Sequence, residues 1–143
     1  MLFLRACTKD DIQDAAQLMC AVYAEPPFNE QWQYERAKKR ITAFLSGIGA
    51  KGYSLNIETQ VVGYLFGRMD YTAKGDVFYV QEIFVNPAYQ RKGCGSMAME
   101  QLRDELRKEG VTKIELHTLT EDISFYEKNG FSPSSYLYLE KKI

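Results

Sequence analysis

From Ile12 onward, apolar residues recur every third or fourth position, at Ile12, Ala15, Ala16, Met19, Val22 and Tyr23. That is the period of one helical face, and Thr8 is a residue type that caps a helix start by accepting a hydrogen bond from a backbone N–H. A short strand is expected just before, over Leu2–Ala6. The run EPPFNE at Glu25–Glu30 breaks the first helix, because proline lacks the backbone donor that a helix needs. Beyond it, Trp32, Ala37, Ile41, Phe44, Leu45 and Ile48 predict a second amphipathic helix, ended by Gly47 and Gly49.

The middle of the chain changes period. YSLNIE (Tyr53–Glu58), VVGYLFGRM (Val61–Met69) and DVFYVQEIFV (Asp76–Val85) are rich in β-branched and aromatic residues and are separated by short turn-like segments, which predicts an antiparallel meander. Helical spacing returns between Gly95 and Glu109, at Met97, Ala98, Leu102 and Leu106. Gly110 stops that helix, and Val111–Thr118 follows as a strand. A short helix near Ile123–Asn129 and a last strand around Tyr136–Leu139 complete the expected elements. The class is mixed α/β in one domain, since no linker, repeat or low-complexity tract divides the chain.

Composition narrows the partners. At 143 residues, 26% charged and 45% apolar, the chain is long enough for one real core. A net charge of -1 gives no general attraction to nucleic acid or anionic membranes. Cys7, Cys20 and Cys94 are an odd number without a CxxC pair, so no disulfide framework is expected and a reducing, cytoplasmic setting is. The single histidine, His117, excludes His-rich metal spacing, and no metal is expected.

The stretch QRKGCGSMA at Gln90–Ala98 carries the candidate chemistry. Its core fits G-x-G-x-x-G/A, the turn by which dinucleotide-binding sheets seat a pyrophosphate on a helix N-terminus. Such a turn begins at the very end of its strand, whereas here Asn86 to Lys92 intervene between Val85 and Gly93. A P-loop fails as well, because no lysine separates Gly95 from Ser96. What survives is the physics: glycines at 93 and 95 permit a tight loop of inward-pointing N–H groups, and the helix starting there adds partial positive charge. Arg91 and Lys92 stand at its rim. Cys94 reads as a small filler rather than a nucleophile, with no histidine near in sequence to activate it.

The run EIFVNPAYQRKGCGSMAMEQL closely resembles the acyl-CoA-binding motif of the GNAT superfamily of N-acetyltransferases, with Gln90, Gly93 and Gly95 in its Q/R-x-x-G-x-G/A positions. FYEKNGF at Phe125–Phe131 resembles that family's late helix-to-strand corner. The resemblance covers nearly the whole chain. It implies a mostly antiparallel sheet splayed at the cofactor strand and flanked by about four helices, and acetyl-CoA bound by the loop from Gln90 through Arg91, Lys92, Gly93, Cys94 and Gly95 to Ser96. It further implies that the backbones of Ile83 and Val85 hold the acetyl carbonyl and pantetheine arm.

Period-two alternation over Phe78–Val85 puts Phe78, Val80, Glu82 and Phe84 on one face. Glu82 is thereby expected among apolar neighbours, where a carboxylate is costly to ionise, a property suited to a base working near neutrality. The resemblance likewise makes Glu82 the general base and Tyr126 the acid that protonates the departing sulfur. Leu119 and Asp122 depart from the asparagine and alanine that the family often has there. The implied reaction is direct acetyl transfer to a primary amine of a small molecule or peptide, with Glu25, Phe28, Glu30 and Trp32, or Asp70 and Tyr71, as candidate acceptor contacts. A non-catalytic acyl-CoA-binding module is the alternative, and a homodimer is compatible with the aromatic C-terminal run SSYLYLEKKI.

Overall fold

The computed structural model describes residues 1–143. After β1 (Leu2–Ala6), Thr8 caps the next turn: its hydroxyl accepts from the Asp10 amide at 3.2 Å while Asp11 accepts from the Thr8 amide at 2.8 Å. The reciprocal pair satisfies two amides that a helix start leaves without partners. A short 3-10 turn, Lys9–Asp11, leads into α1 (Ile12–Ala24), which buries Ala15, Ala16, Met19 and Val22. α2 (Tyr34–Phe44) begins two residues after Trp32 and buries Ala37, Ile41 and Phe44.

β2 (Ala50–Ile57), β3 (Gln60–Thr72) and β4 (Gly75–Val85) form the meander, α3 (Cys94–Lys108) crosses back, and β5 (Lys113–Leu116) joins the sheet before α4 (Ile123–Lys128). Strand order is β1-β2-β3-β4-β5, with β5 parallel to β4 and every other pairing antiparallel. β3 is nearly continuous in apolar residues because both of its faces are covered. Leu65, Phe78 and Leu102 belong to the core under α3, whereas Tyr64, Phe66 and Phe84 belong to the core under α1 and α2. The fully buried Tyr64 donates to Asp14 of α1 at 2.7 Å and so ties that helix to the sheet. No helix is long and apolar enough to cross a membrane.

Two expectations are overturned. Gly67 pairs with Val80 and Phe66 with Glu82, so Gln81 is an extra residue on β4, a β-bulge. The bulge switches faces: Phe78 and Val80 lie in the α3-side core together with Ile83 and Val85, and Phe84 lies in the opposite core. The alternation read across Phe78–Val85 therefore breaks in its middle, because one inserted residue inverts every later side chain. The strand expected over Tyr136–Leu139 also does not form; residues 132–143 carry no regular structure, and these four side chains are 72–85% exposed. β5 offers them a short edge of four residues, two of which form the Lys113–Glu115 ion pair at 2.9 Å, so there is little apolar surface to bury against.

Candidate active site

The sheet parts beside the bulge. Val80–Leu116 is the last pair between β4 and β5, so Gln81 to Val85 keep a partner only on the β3 side. The Asn86 amide donates to Val62 on β3 at 2.7 Å. Residues two apart on an extended strand face the same way, so Ile83 and Val85 turn their N–H and C=O groups toward the opened edge. The Val85 carbonyl there accepts from the Gln90 side chain at 2.9 Å, which pins the following loop against the end of β4. Beside the opening, Gln81 Oε1 is the one buried side-chain N or O atom without a partner.

The loop then turns through two left-handed residues, Arg91 at φ 61° and Gly93 at φ 80°, before α3 starts at Cys94. Gly93 is required by its φ, and nothing lies near where its Cβ would be. Gly95 is required for a different reason: a Cβ there would stand 2.9 Å from the Phe125 ring. The amides of Gly93, Cys94, Gly95 and Ser96 find no acceptor in the loop, the helix or a side chain, so they and the helix dipole present a concentrated anion-binding end. The Ser96 hydroxyl accepts from Asn129 Nδ2 at 3.1 Å; Asn129 also donates to Phe125 O at 2.9 Å, and so ties the FYEKNGF corner to this turn. Cys94 is buried among core residues. Lys92 Nζ lies over the Tyr89 ring, 5.8 Å from its centroid.

Past the bulge, Glu82 sits on the α1 and α2 side, and its setting differs from the expected one. It is not isolated: Tyr23 of α1 donates to Oε2, while on Oε1 Arg40 of α2 donates from Nε at 3.0 Å and holds Nη2 at 2.9 Å. Glu82 is 14% exposed and Arg40 42%. Arg40 Cζ also lies 4.8 Å from the centroid of the Phe44 ring and 5.7 Å from that of Trp32. Burial, then the Glu82 charge, push the Tyr23 hydroxyl well above its ordinary value, so it remains a donor. Tyr126 approaches from the α3-side core. Its phenol is also raised, by burial first and then by the charges of Asp122 and Glu82.

Neither Tyr23 nor Arg40 was legible as a site residue. Tyr23 reads as part of an apolar helical face and Arg40 as part of a solvated one, and each meets Glu82 only across 59 and 42 residues of sequence. Phe28 packs edge-on to Tyr23 at 4.9 Å, and Trp32 donates to Glu30 at 3.1 Å, which places the 25–32 segment at the mouth of the site. Asp70 and Tyr71 pair with Val77 and Asp76, near the β3–β4 turn, whereas Glu82 pairs with Phe66 in the middle of β3.

A cavity of about 670 Å³ lies elsewhere, between the end of β1 and the C-terminal end of α2, and touches neither Glu82, Tyr126 nor the 90–96 loop. It is open and shallow in chemistry, with Cys7 on its wall. Burial pushes the Cys7 thiol up to about 12. A raised thiol stays neutral through ordinary alkaline pH, so at about pH 8.5 Cys7 should alkylate roughly a thousandfold more slowly in the native protein than in urea. Peptide mass spectrometry after iodoacetamide treatment measures this; equal labelling in both states would contradict it.

The site is thus a mixed sheet that opens between two parallel strands, above a helix N-terminus with unpaired amides. The sequence matches the model of the acetyltransferase (GNAT) family over residues 14–131. The protein belongs to that family and is an acetyltransferase. A comparison of the sequence with curated proteins finds no match. Solved structures share the fold at low identity. A possible acetyltransferase from Clostridium difficile 630 superposes with a TM-score of 0.83 at 18% identity, covering 100% of this chain and 98% of that one. The aminoglycoside 6'-N-acetyltransferase AAC(6')-Ih of Acinetobacter baumannii gives 0.73 at 15%, covering 100% and 99%. Glucosamine-6-phosphate N-acetyltransferase of Arabidopsis thaliana gives 0.71 at 18%, covering 99% and 98%.

Proposed function

We propose that this acetyltransferase moves the acetyl group of acetyl-CoA to a primary amine by direct attack while both substrates are bound. The observation that carries the reading is the splay of β4 from β5, with unpaired α3 amides following it, Glu82 on the parted strand and Tyr126 packed in the α3-side core with Ile83 and Val85. The pyrophosphate of the coenzyme fits the amides of Gly93 to Ser96, and the exposed edge at Ile83 and Val85 can pair with the amide-bearing pantetheine arm as an added strand would. When bound, acetyl-CoA supplies an activated thioester carbonyl.

The protein's own residues manage the protons. An alkyl amine with a pKa of about 10.4 is neutral in only about one molecule in a few thousand at pH 7. Glu82 removes the ammonium proton, and to do so one oxygen must exchange a hydrogen bond from Tyr23 or Arg40 for the incoming N–H. The amine nitrogen then forms the new C–N bond as the C–S bond breaks. Tyr126, held protonated by its surroundings, donates to the leaving sulfur. Cys94 is buried at the start of α3 and takes no acyl group. Tyr126→Phe is expected to lower kcat about tenfold to a hundredfold with little change in the acetyl-CoA KM; steady-state kinetics read both, and full turnover would reduce Tyr126 to an anchor of the corner.

The test of the function is a panel of amines and peptides incubated with acetyl-CoA, following free thiol and product mass. Stoichiometric thiol release with a mass gain on nitrogen is the expected result, and no transfer to any amine would overturn the reading.

A further inference from the structure

Arg40 is held as a recognition group with one edge already occupied. Its Nε and Nη2 face Glu82 Oε1, and Trp32 and Phe44 lie against its guanidinium. Nη1, on the outer edge, has no partner, and the side chain is nearly half exposed at the mouth of the site. Arg36, one turn earlier on the same face of α2, is exposed as well, so the helix adds positive charge there. The opposite sign lies alongside: Glu30 accepts from Trp32, and its amide donates to the carbonyl of Tyr23, whose hydroxyl bonds Glu82. A cation subsite and an anion subsite are thus adjacent.

We infer that the acceptor is an amine that also carries an oxyanion, carboxylate or phosphate, a few bonds from the nitrogen, and that Arg40 selects it. The inference rests on the acetyl-transfer reading above. Arginine's planar fork suits bidentate recognition of such groups. In the free protein Arg40 occupies Glu82 Oε1, one of the two oxygens that can accept the amine proton. An oxyanion that engages the outer edge of Arg40 competes for the guanidinium and draws it from Oε1, so the base is released when the right substrate is seated. A polycation lacks the group that would move Arg40 and meets its charge instead.

Matched pairs test this: an α-amino acid against its amide, and an amino sugar phosphate against the unphosphorylated sugar. With acetyl-CoA saturating, the oxyanion member of at least one pair should show kcat/KM about tenfold higher or more, and the pair that responds tells carboxylate from phosphate. Arg40→Gln should erase the preference and Arg40→Lys should keep part of it. Trp32 is the only tryptophan and stacks on Arg40, so its fluorescence reads binding without acetyl-CoA. The oxyanion member should perturb it saturably in the wild type and not in Arg40→Gln. The inference is overturned if uncharged or polycationic amines are preferred, or if Arg40→Gln slows both members of every pair equally. It is overturned too if no amine is acetylated, a result that removes the acetyl-transfer reading with it, whereas the first two leave that reading standing.

Discussion

Glu82→Gln is expected to lower kcat by about 10² to 10⁴ near neutral pH and to make the remaining rate climb more steeply with pH, in step with the neutral fraction of the amine. Glutamine keeps the shape of the side chain and a carbonyl oxygen for Arg40 or Tyr23, but it cannot take the ammonium proton. Acetylation must then draw on the small neutral fraction of amine already in solution, and the rate at neutral pH falls accordingly. Removing one partner of a close charge pair has its own cost, because Arg40 would face an uncharged amide. The double variant Glu82→Gln/Arg40→Gln removes that complication. If both variants melt near the wild type and both lose activity, the loss belongs to proton transfer rather than to a collapsed cluster. A pH–rate profile unchanged from about pH 6 to 9 in Glu82→Gln would end the base assignment.

Phe78→Ala is expected to cost about 3–5 kcal/mol of stability, a large share of the roughly 5–15 kcal/mol that holds such a domain together. Phe78 is fully buried, and its ring fills the space left by Gly67 on the neighbouring strand, where a Cβ would lie 2.3 Å from the ring. Neither Gly67 nor the sheet backbone can move in to close the cavity, so the site relaxes little. The position matters because Gly67 pairs with Val80 immediately before the bulge that orients Glu82. Urea unfolding measures the effect, with a melting temperature lowered by about 10 °C or more as its thermal counterpart. A loss under about 1 kcal/mol would show that this packing is not what the fold depends on.

The elements that were legible share one property, which is that their signal is local. α1, α2 and α3 announce themselves by apolar spacing of three and four, and β2 to β4 by dense β-branched and aromatic runs between short turns. The Gln90–Ser96 loop was legible because an anion-binding helix start needs particular residues in a short window. Tyr136–Leu139 shows the limit of such reasoning, since its aromatic and aliphatic run reads as a strand and yet no partner of adequate length stands beside it. Asn129 shows another: NG marks a corner, but nothing in it points to the hydroxyl of Ser96, 33 residues earlier.

Sequence alone determined the order of most elements, the mixed α/β class, the family to which the motif belongs, and the residue types at the candidate site. Only the tertiary structure decided what those residues face. The bulge at Gln81 sends Glu82 to the α1 and α2 side, where Tyr23 and Arg40 hold it instead of apolar neighbours. A bulge adds one residue without altering local composition, and an ion pair joins side chains from separate elements. Neither leaves a periodic trace, because both arise from how strands pair and helices pack after each element has already formed.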